Sequence, residues 1–274
     1  MKKNILWLIA LIYVISGCQQ SSKESDIQKK EITSENNYQH LTGAVNWYER
    51  SAEMKACYYQ AYNFARMLLD KNIVRTVNRG KKNAVVVDID ETLLNNTPFE
   101  IKCMETGKGY SSDTWTEWTK LARAAALPGA LEFLNYAKSK NVETFYISNR
   151  RENEMDATIK NLDSLGFPYV DKDHMLFRTE ESSKKNRRAK VTETHEIILL
   201  IGDNLADLSE IFEDRSVNFG KDIVDQNKNN FGEKYIILPN PMYGDWEMAL
   251  PGMNKKISDE EKGKILRQGL NSGY

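Results

Sequence analysis

The sequence predicts an α/β protein built on a doubly wound, mostly parallel sheet, with N-terminal helices and a small cap insert. Three observations carry that prediction. Short apolar runs, residues 84–87, 142–147, 197–201 and 235–238, alternate with stretches of helical periodicity. Strands buried on both faces in a parallel sheet read this way, as near-continuous hydrophobic runs separated by helices. The first three runs end in polar residues: Asp88, Ser148 and the pair Gly202-Asp203. Finally, the segment of about 95–127 is too long for a plain connection, and it carries Phe99, Tyr110, Trp115 and Trp118. That length and aromatic content predict a cap built over the sheet edge.

Taken in order, the chain opens with Lys2 and Lys3, an apolar run from Ile5 to Ile15, then Ser16, Gly17 and Cys18. The run is too short to span a bilayer, which needs roughly 20 apolar residues as a helix, and its layout is that of a secretory signal peptide. The ending Ile15-Ser16-Gly17-Cys18 resembles a bacterial lipobox. It implies removal of residues 1–17 and lipidation of Cys18, hence an exported protein anchored by lipid in the bacterial cell envelope, at an outer membrane or the cell surface. Residues 18–38 then form a polar tether with only two aliphatic residues, Ile27 and Ile32, unable to bury a core. The folded body is expected over residues 39–274.

From residue 41 onward, Met54, Tyr58, Ala61, Phe64-Ala65 and Leu68 recur at helical spacing. One or two helices are predicted there, ending before Gly80, with the methionine and aromatic stripe facing the core. Cys57 lies in this stripe and reads as a small buried hydrophobe. With Cys103 it makes only two cysteines beyond Cys18, too few for a disulfide framework. Pro128-Gly129 opens a helix to about Lys140, and another covers 152–165, stopping at Gly166. Residues 254–274 read as a polar surface helix or tail. His40, His174 and His195 show no metal-ligand spacing.

The whole chain has a formal net charge of −1, with 41% hydrophobic and 28% charged residues. That balance gives no footprint for a nucleic-acid polymer. It is compatible with a homo-oligomer and names no second protein.

The chemistry gathers at the carboxyl ends of the predicted strands, where open α/β sheets bind ligands. Asp88 and Asp90 stand two apart, so in extended backbone both side chains can face one side. Asp203 converges from another strand. Carboxylates brought together oppose each other's ionisation, and a hard divalent cation relieves that; Mg²⁺ keeps waters and accepts phosphate oxygens. Metal and phosphate are therefore expected together.

The set VVVDIDETLL, YISNR, SSK and IGDNLAD, in that order, resembles the haloacid dehalogenase-like phosphotransferases, and more narrowly the class C non-specific acid phosphatases, which are bacterial surface lipoproteins. The resemblance runs from about residue 41 to 251 and includes WYERSAEMKACYYQAYNFA and LPNPMYGDWE. It implies a Rossmann-like fold and hydrolysis of small phosphomonoesters, such as nucleoside monophosphates, nicotinamide mononucleotide and aryl phosphates, with 5′-nucleotidase activity within its range. By the same resemblance Asp88 is the nucleophile that forms an aspartyl-phosphate. Asp90 is general acid and then general base, which makes an acidic optimum sensible. Mg²⁺ is held by the Asp88 carboxylate, the Asp90 backbone carbonyl and Asp203.

Ser148 is implied to hydrogen-bond the transferring phosphoryl group, with Asn149 and Arg150 positioning phosphate or the cap. Lys184, in the first turn of a helix capped by Ser182 or Ser183, is implied as the site's cation, while the rest of the run 184–188 reads as a solvated basic face. Asp207 is expected behind the ligands, and Glu91 and Thr92 complete the motif, either shaping and capping the turn or taking part in the chemistry. Tyr110 and Tyr243 match positions that sandwich an aromatic leaving group; Trp115 and Trp246 read as packing. Two rival functions remain: transfer of the phosphoryl group to an acceptor alcohol, and a non-catalytic ligand-binding surface lipoprotein.

Overall fold

The computed structural model describes residues 39–76, 80–254, 256–270 and 273. The expected leader, Cys18 and the tether up to residue 38 lie outside the described residues.

Helix α1 (Thr42–Arg50) stops at Ser51, whose extended backbone breaks the helical path. The Ser51 hydroxyl then accepts the Met54 N–H at 3.0 Å and starts α2 (Ala52–Thr76), as an N-terminal serine does by satisfying an orphan amide. Helix α2 buries Met54, Tyr58, Tyr62, Ala65, Leu68, Leu69 and Asn72 on one face. Cys57 is not on that face: it is exposed, which corrects the expectation of a buried thiol, whereas Cys103 is buried. Phe64 is likewise 42% exposed. Both residues precede a buried one, so they fall on the flank of the stripe.

The main sheet contains β1 (Lys82–Val87), then, beyond a two-strand excursion, β4 (Glu143–Arg151), β5 (Met175–Arg178), β6 (His195–Gly202) and β7 (Tyr235–Ile237). Their order is β5-β4-β1-β6-β7, with every pairing parallel. From β1 the chain moves outward to β4 and β5, then returns across β1 to β6 and β7. The direction of winding therefore reverses at β1, where the carboxyl end opens a crevice. Strand β5 has no counterpart among the predicted runs: MLFR holds three apolar residues but no β-branched one, the residue type that marks a strand.

The two faces of the sheet bury separate cores. Val85 and Val87 join Tyr58, Tyr62, Leu69, Leu134 and Tyr146 on one face. Ala84 and Val86 join Val191, Leu200, Leu208 and Phe212 on the other, as the period of two in a strand requires. The register slips between Ala84 and Val85 opposite β6, leaving Ile198 as an extra residue. Buried Asn72 donates to the Ile198 carbonyl at 3.0 Å and to the Glu233 carbonyl at 2.8 Å, giving the bulge a fixed partner.

The excursion after β1 is the cap. Strands β2 (Leu94–Asn95) and β3 (Ala125–Ala126) pair antiparallel and close it, bracketing α3 (Thr97–Thr106) and α4 (Ser112–Lys120). Ser111 and Thr114 form a reciprocal capping box at the start of α4. Helix α5 (Ala130–Ser139) follows from Gly129, whose φ of +82° would strain any other residue and where a Cβ would sit only 3.1 Å from Tyr62. Next come α6 (Met155–Leu165), α7 (Lys185–Thr194), α8 (Leu205–Leu208), α9 (Lys221–Gln226), α10 (Asp245–Met248) and α11 (Asp259–Gln268). No helix among the described residues is long and apolar enough to cross a membrane.

The described histidines 174 and 195 belong to the scaffold. Both ring Nε2 atoms meet Oε2 of Glu143, at 3.3 and 3.0 Å, and Lys82 Nζ meets Oε1 at 2.8 Å. Burial raises the Glu143 carboxyl, but Lys82, His174 and His195 outweigh it and hold the group at about 2.

Candidate active site

Strand β1 ends as the Asp88 amide donates to the Ile201 carbonyl at 3.0 Å, which carries the Asp88 side chain past the last pair of central-strand residues. A tight turn follows. Leu93 and Leu94 amides both return to the Ile89 carbonyl, at 2.8 and 3.0 Å, and Glu91 takes a φ of +53°. Tyr58 and Tyr62 on α2 donate to the carbonyls of Glu91 and Thr92, the latter at 2.7 Å, and the Tyr48 hydroxyl on α1 meets that of Tyr58. Three buried phenols thus hold the turn from behind. The N-terminal helices, whose aromatic stripe reads only as core in sequence, fix the loop that carries Asp88 and Asp90.

Carboxylate oxygens of Asp88, Asp203 and Asp207 all lie within 4.8 Å of one another. Asp207 reaches the group because it turns back over Gly202, where a Cβ would collide with the Asp207 side chain. Lys184 Nζ bridges two members of the group, donating to Asp88 and lying 2.6 Å from Asp207 Oδ1. Asp207 Oδ2 accepts the Asn204 N–H at 2.9 Å. Asp203 Oδ2 accepts from Asn240 at 2.8 Å, and its Oδ1 lies 3.4 Å from the Thr92 hydroxyl. Asn240, in the quoted LPNPMYGDWE segment, was given no role by sequence.

One lysine against two buried carboxylates and the half-buried Asp203 leaves an excess of negative charge. Burial pushes the Asp88 carboxyl up to about 7, with Asp207 and Asp90 adding to the rise and Lys184 opposing it. Burial likewise raises Asp203 well above the usual range, helped by Asp207 and Asp88. For Lys184, burial works against the charged form, but Asp207 and Asp88 outweigh it and raise the ammonium. These hard oxygen donors fit a divalent cation, the form of charge that would offset the remaining repulsion.

Asp90 points elsewhere. Its Oδ1 accepts Arg150 Nη2 at 2.7 Å, Arg150 Nε at 3.0 Å and Asn96 Nδ2 at 2.9 Å. Arg150 Nη1 donates to Thr158 at 3.0 Å, and the guanidinium lies 5.8 Å from the Trp115 ring centroid. Arg150 is buried, and its side chain is committed to Asp90 and Thr158 with the cap residue Trp115 beside it. Trp118 Nε1 in the cap donates to Asn96 Oδ1 at 2.8 Å, so a cap helix orients Asp90 through Asn96. Sequence reasoning missed Asn96, which sits at the loop's far end with no local pattern to mark it.

Ser148 is fully buried, and its hydroxyl accepts the Arg150 N–H at 3.0 Å. Its carbonyl accepts Arg187 Nη1 at 2.5 Å, while Arg187 Nη2 donates to exposed Asn149 at 2.7 Å. Lys184 is the N-cap residue of α7, not a member of its first turn; the Ser183 hydroxyl accepts the Lys185 N–H at 3.3 Å. Nor is the following run a solvated face throughout. Arg187 staples the β4 end to the 182–183 segment, and buried Arg188 donates to the Ala206 carbonyl at 2.9 Å and to Glu210 at 3.0 Å. The period of the helix brings these two inward, whereas Lys185 and Asn186 remain exposed.

The Tyr243 hydroxyl donates to buried Glu91, which also accepts the Asn96 N–H at 2.8 Å. Burial, then Asp90 and Asp203, raise the Glu91 carboxyl well above the usual range. Tyr110 is 68% exposed on the cap and meets Phe99 and Trp115 edge-on or tilted, at centroid distances of 6.3 and 6.0 Å. Trp115 is buried; Trp246 is 38% exposed, not packed as expected.

Comparison with known proteins agrees with this architecture. Residues 8–246 match the family described as HAD superfamily, subfamily IIIB (acid phosphatase). The class C acid phosphatase from Bacillus anthracis is 45% identical, with a TM-score of 0.81 over 86% of this chain and 99% of that one; it has also been solved with tungstate bound. Acid phosphatase 1 of Solanum lycopersicum is 27% identical over 165 residues, 58% of this chain, and vegetative storage protein 2 of Arabidopsis thaliana is 29% identical over 164, or 55%. The chain spans 57% of the length of either plant protein.

Proposed function

The chain belongs to the HAD superfamily, subfamily IIIB (acid phosphatase), and from that premise we propose that it hydrolyses small phosphomonoesters through an aspartyl-phosphate on Asp88. The observation that carries the reading is the grouping of Asp88, Asp203 and Asp207 where β1 and β6 end, with Lys184 bridging Asp88 and Asp207. A tungstate ion in the related Bacillus anthracis enzyme supports a site for a tetrahedral oxyanion. Nucleoside monophosphates, nicotinamide mononucleotide and aryl phosphates are the proposed substrates.

Asp88 supplies the attacking oxygen, and Lys184, already donating to Asp88 and Asp207, directs its remaining proton toward a phosphoryl oxygen. The Ser148 hydroxyl accepts the Arg150 N–H, so its own proton is free to donate to the phosphoryl group. On Asp90, Oδ1 takes three donors, while Oδ2 meets only Arg150 Nε at 3.2 Å. Oδ2 is therefore the oxygen that gives the leaving alcohol its proton and later takes one from water, a role worth roughly 10²–10⁴-fold where the leaving group needs it. Asp88 and Asp203, with the Asp90 carbonyl that the family pattern adds, would hold Mg²⁺. Bound there, the cation would offset repulsion between anionic nucleophile and anionic substrate.

The acid–base partner at Asp90 favours water over an alcohol as acceptor, because it shortens the life of the intermediate. The full set of Asp88, Asp90, Ser148, Lys184 and Asp203 argues against a non-catalytic binding protein. We further propose that residues 1–17 are a leader, that Cys18 is lipidated, and that the body is tethered to the cell envelope.

Phosphate release from an aryl phosphate, measured before and after exhaustive chelation and again after adding Mg²⁺, tests the reading. Loss and recovery with unchanged circular dichroism support it; full activity without a divalent cation overturns it.

A further inference from the structure

Most arginines around the site are committed to protein groups. Arg150 holds Asp90, Arg187 holds Ser148 and Asn149, and Arg188 holds Ala206 and Glu210. Two others are not. Arg151 ends β4 and Arg178 ends β5, and the two are register partners across the parallel pair, so both side chains leave the sheet edge together. Among the described residues, neither guanidinium forms an ion pair. Both line an open cavity of about 350 Å³ with Glu152, Asn153, Thr179 and Glu180, and neither carboxylate of that lining pairs with them.

The cavity adjoins the candidate site. Arg151 stands three residues beyond Ser148 on the same strand, roughly 10 Å along extended backbone. Arg151 also directly follows Arg150, whose guanidinium holds Asp90. Two cations on paired strands repel each other; Glu152 and Glu180 share the lining without forming an ion pair to them, and an anion between the guanidinium groups reverses the repulsion. Paired guanidinium forks match phosphate, whose several oxygens accept bidentate bonds from more than one donor.

We propose that Arg151 and Arg178 form a second anion subsite, which takes a phosphate carried by the leaving group. The cleft would then favour small bisphosphorylated esters over the matching monophosphates. This deepens the phosphomonoesterase reading and rests on it.

The test uses the whole enzyme and measures inhibition of aryl phosphate hydrolysis by hexose 1,6-bisphosphate and by hexose 6-phosphate. The bisphosphate is expected to have an inhibition constant about tenfold lower, in line with one added charge-assisted bidentate contact. That advantage should shrink in high salt, because the guanidinium groups are near solvent. It should vanish in R151A/R178A and fall to an intermediate value in R151K/R178K, which keeps the charge and loses the forks. Equal constants in the unaltered enzyme, or an advantage that survives R151A/R178A, would overturn the subsite. No hydrolysis of the aryl phosphate would instead overturn the phosphatase reading, and the subsite with it.

Discussion

Arg150 grips Asp90 through both Nε and Nη2, at 3.0 and 2.7 Å to one carboxylate oxygen. The pair spans sixty positions of sequence, from the loop after β1 to the end of β4. Arg150 is only 2% exposed on its side chain and Asp90 17%, so the contact is largely removed from solvent, where a planar fork fixes orientation as well as charge. Arg150→Lys keeps the charge and loses the fork. Its rate on a nucleoside monophosphate should fall by roughly 10–100-fold, within the range general acid catalysis supplies, with a smaller loss on an aryl phosphate. Comparing kcat for the two substrates in wild type and variant checks this; equal losses would mean that Arg150 acts on phosphate, not on Asp90.

Lys184 is enclosed by Asp88 and Asp207. Removing one member of a buried ion pair typically costs about 3–5 kcal/mol because the other charge is left uncompensated. In the presence of a chelator, Lys184→Met should therefore lower the melting temperature by roughly 10 °C for a body of this size. Lys184→Met combined with Asp88→Asn removes a carboxylate along with the ammonium and should recover part of that loss. Calorimetry of the two variants checks the order; an unchanged single variant would show that Lys184 is not the group's counter-charge.

Away from the site, the Glu143 cluster ties acid stability to one carboxyl. Its folded value of about 2 lies below the ordinary 4.5, so between these values the unfolded chain binds the proton more readily. The stabilisation is full above pH about 4.5 and is lost as pH falls through about 2. Glu143→Gln should lower stability at pH 7 by about 1–3 kcal/mol, a figure discounted for partial exposure, and the gap from wild type should narrow toward pH 2. Urea unfolding at several pH values measures it; a gap independent of pH would refute the assignment.

The anchor is tested separately. Cys18→Ser should leave the protein as uncleaved precursor or release it from membranes, with the catalytic body still active, because stable anchoring requires more than one acyl chain or signal. Fractionation and size analysis of the variant decide it. Mature-sized protein still in the membrane fraction would remove the lipobox reading.

Some of this molecule is legible in the sequence and some is not, for physical reasons. Strands β1, β4 and β6 are written in apolar runs because both of their faces are buried, and their ends mark Asp88, Ser148 and Asp203. Strand β5 has apolar Met175, Leu176 and Phe177 but no β-branched residue, so its composition does not set it apart from a loop or a helix end. The helical stripe of α2 gives Met54, Tyr58 and Ala65, but periodicity cannot say that Cys57 falls on the exposed flank. Nor can it reveal that the Tyr58 and Tyr62 hydroxyls end on the carbonyls of Glu91 and Thr92. Asn96, Asn240 and the commitment of Arg150 to Asp90 arise from contacts between distant loops, and no local pattern encodes them.

The division of labour between Asp88 and Asp90 is the central claim, and rapid-quench detection of phosphoenzyme tests it most directly. Wild type, Asp88→Asn and Asp90→Asn would each be mixed with an aryl phosphate and with a nucleoside monophosphate. Asp88→Asn has no attacking oxygen, so it should form no phosphoenzyme with either. Asp90→Asn keeps Asp88 and loses the proton donor, so it should form and slowly release phosphoenzyme from the aryl phosphate, whose leaving group needs little help, and almost none from the nucleotide. Phosphoenzyme in Asp88→Asn, or equal losses on both substrates in Asp90→Asn, would contradict the account.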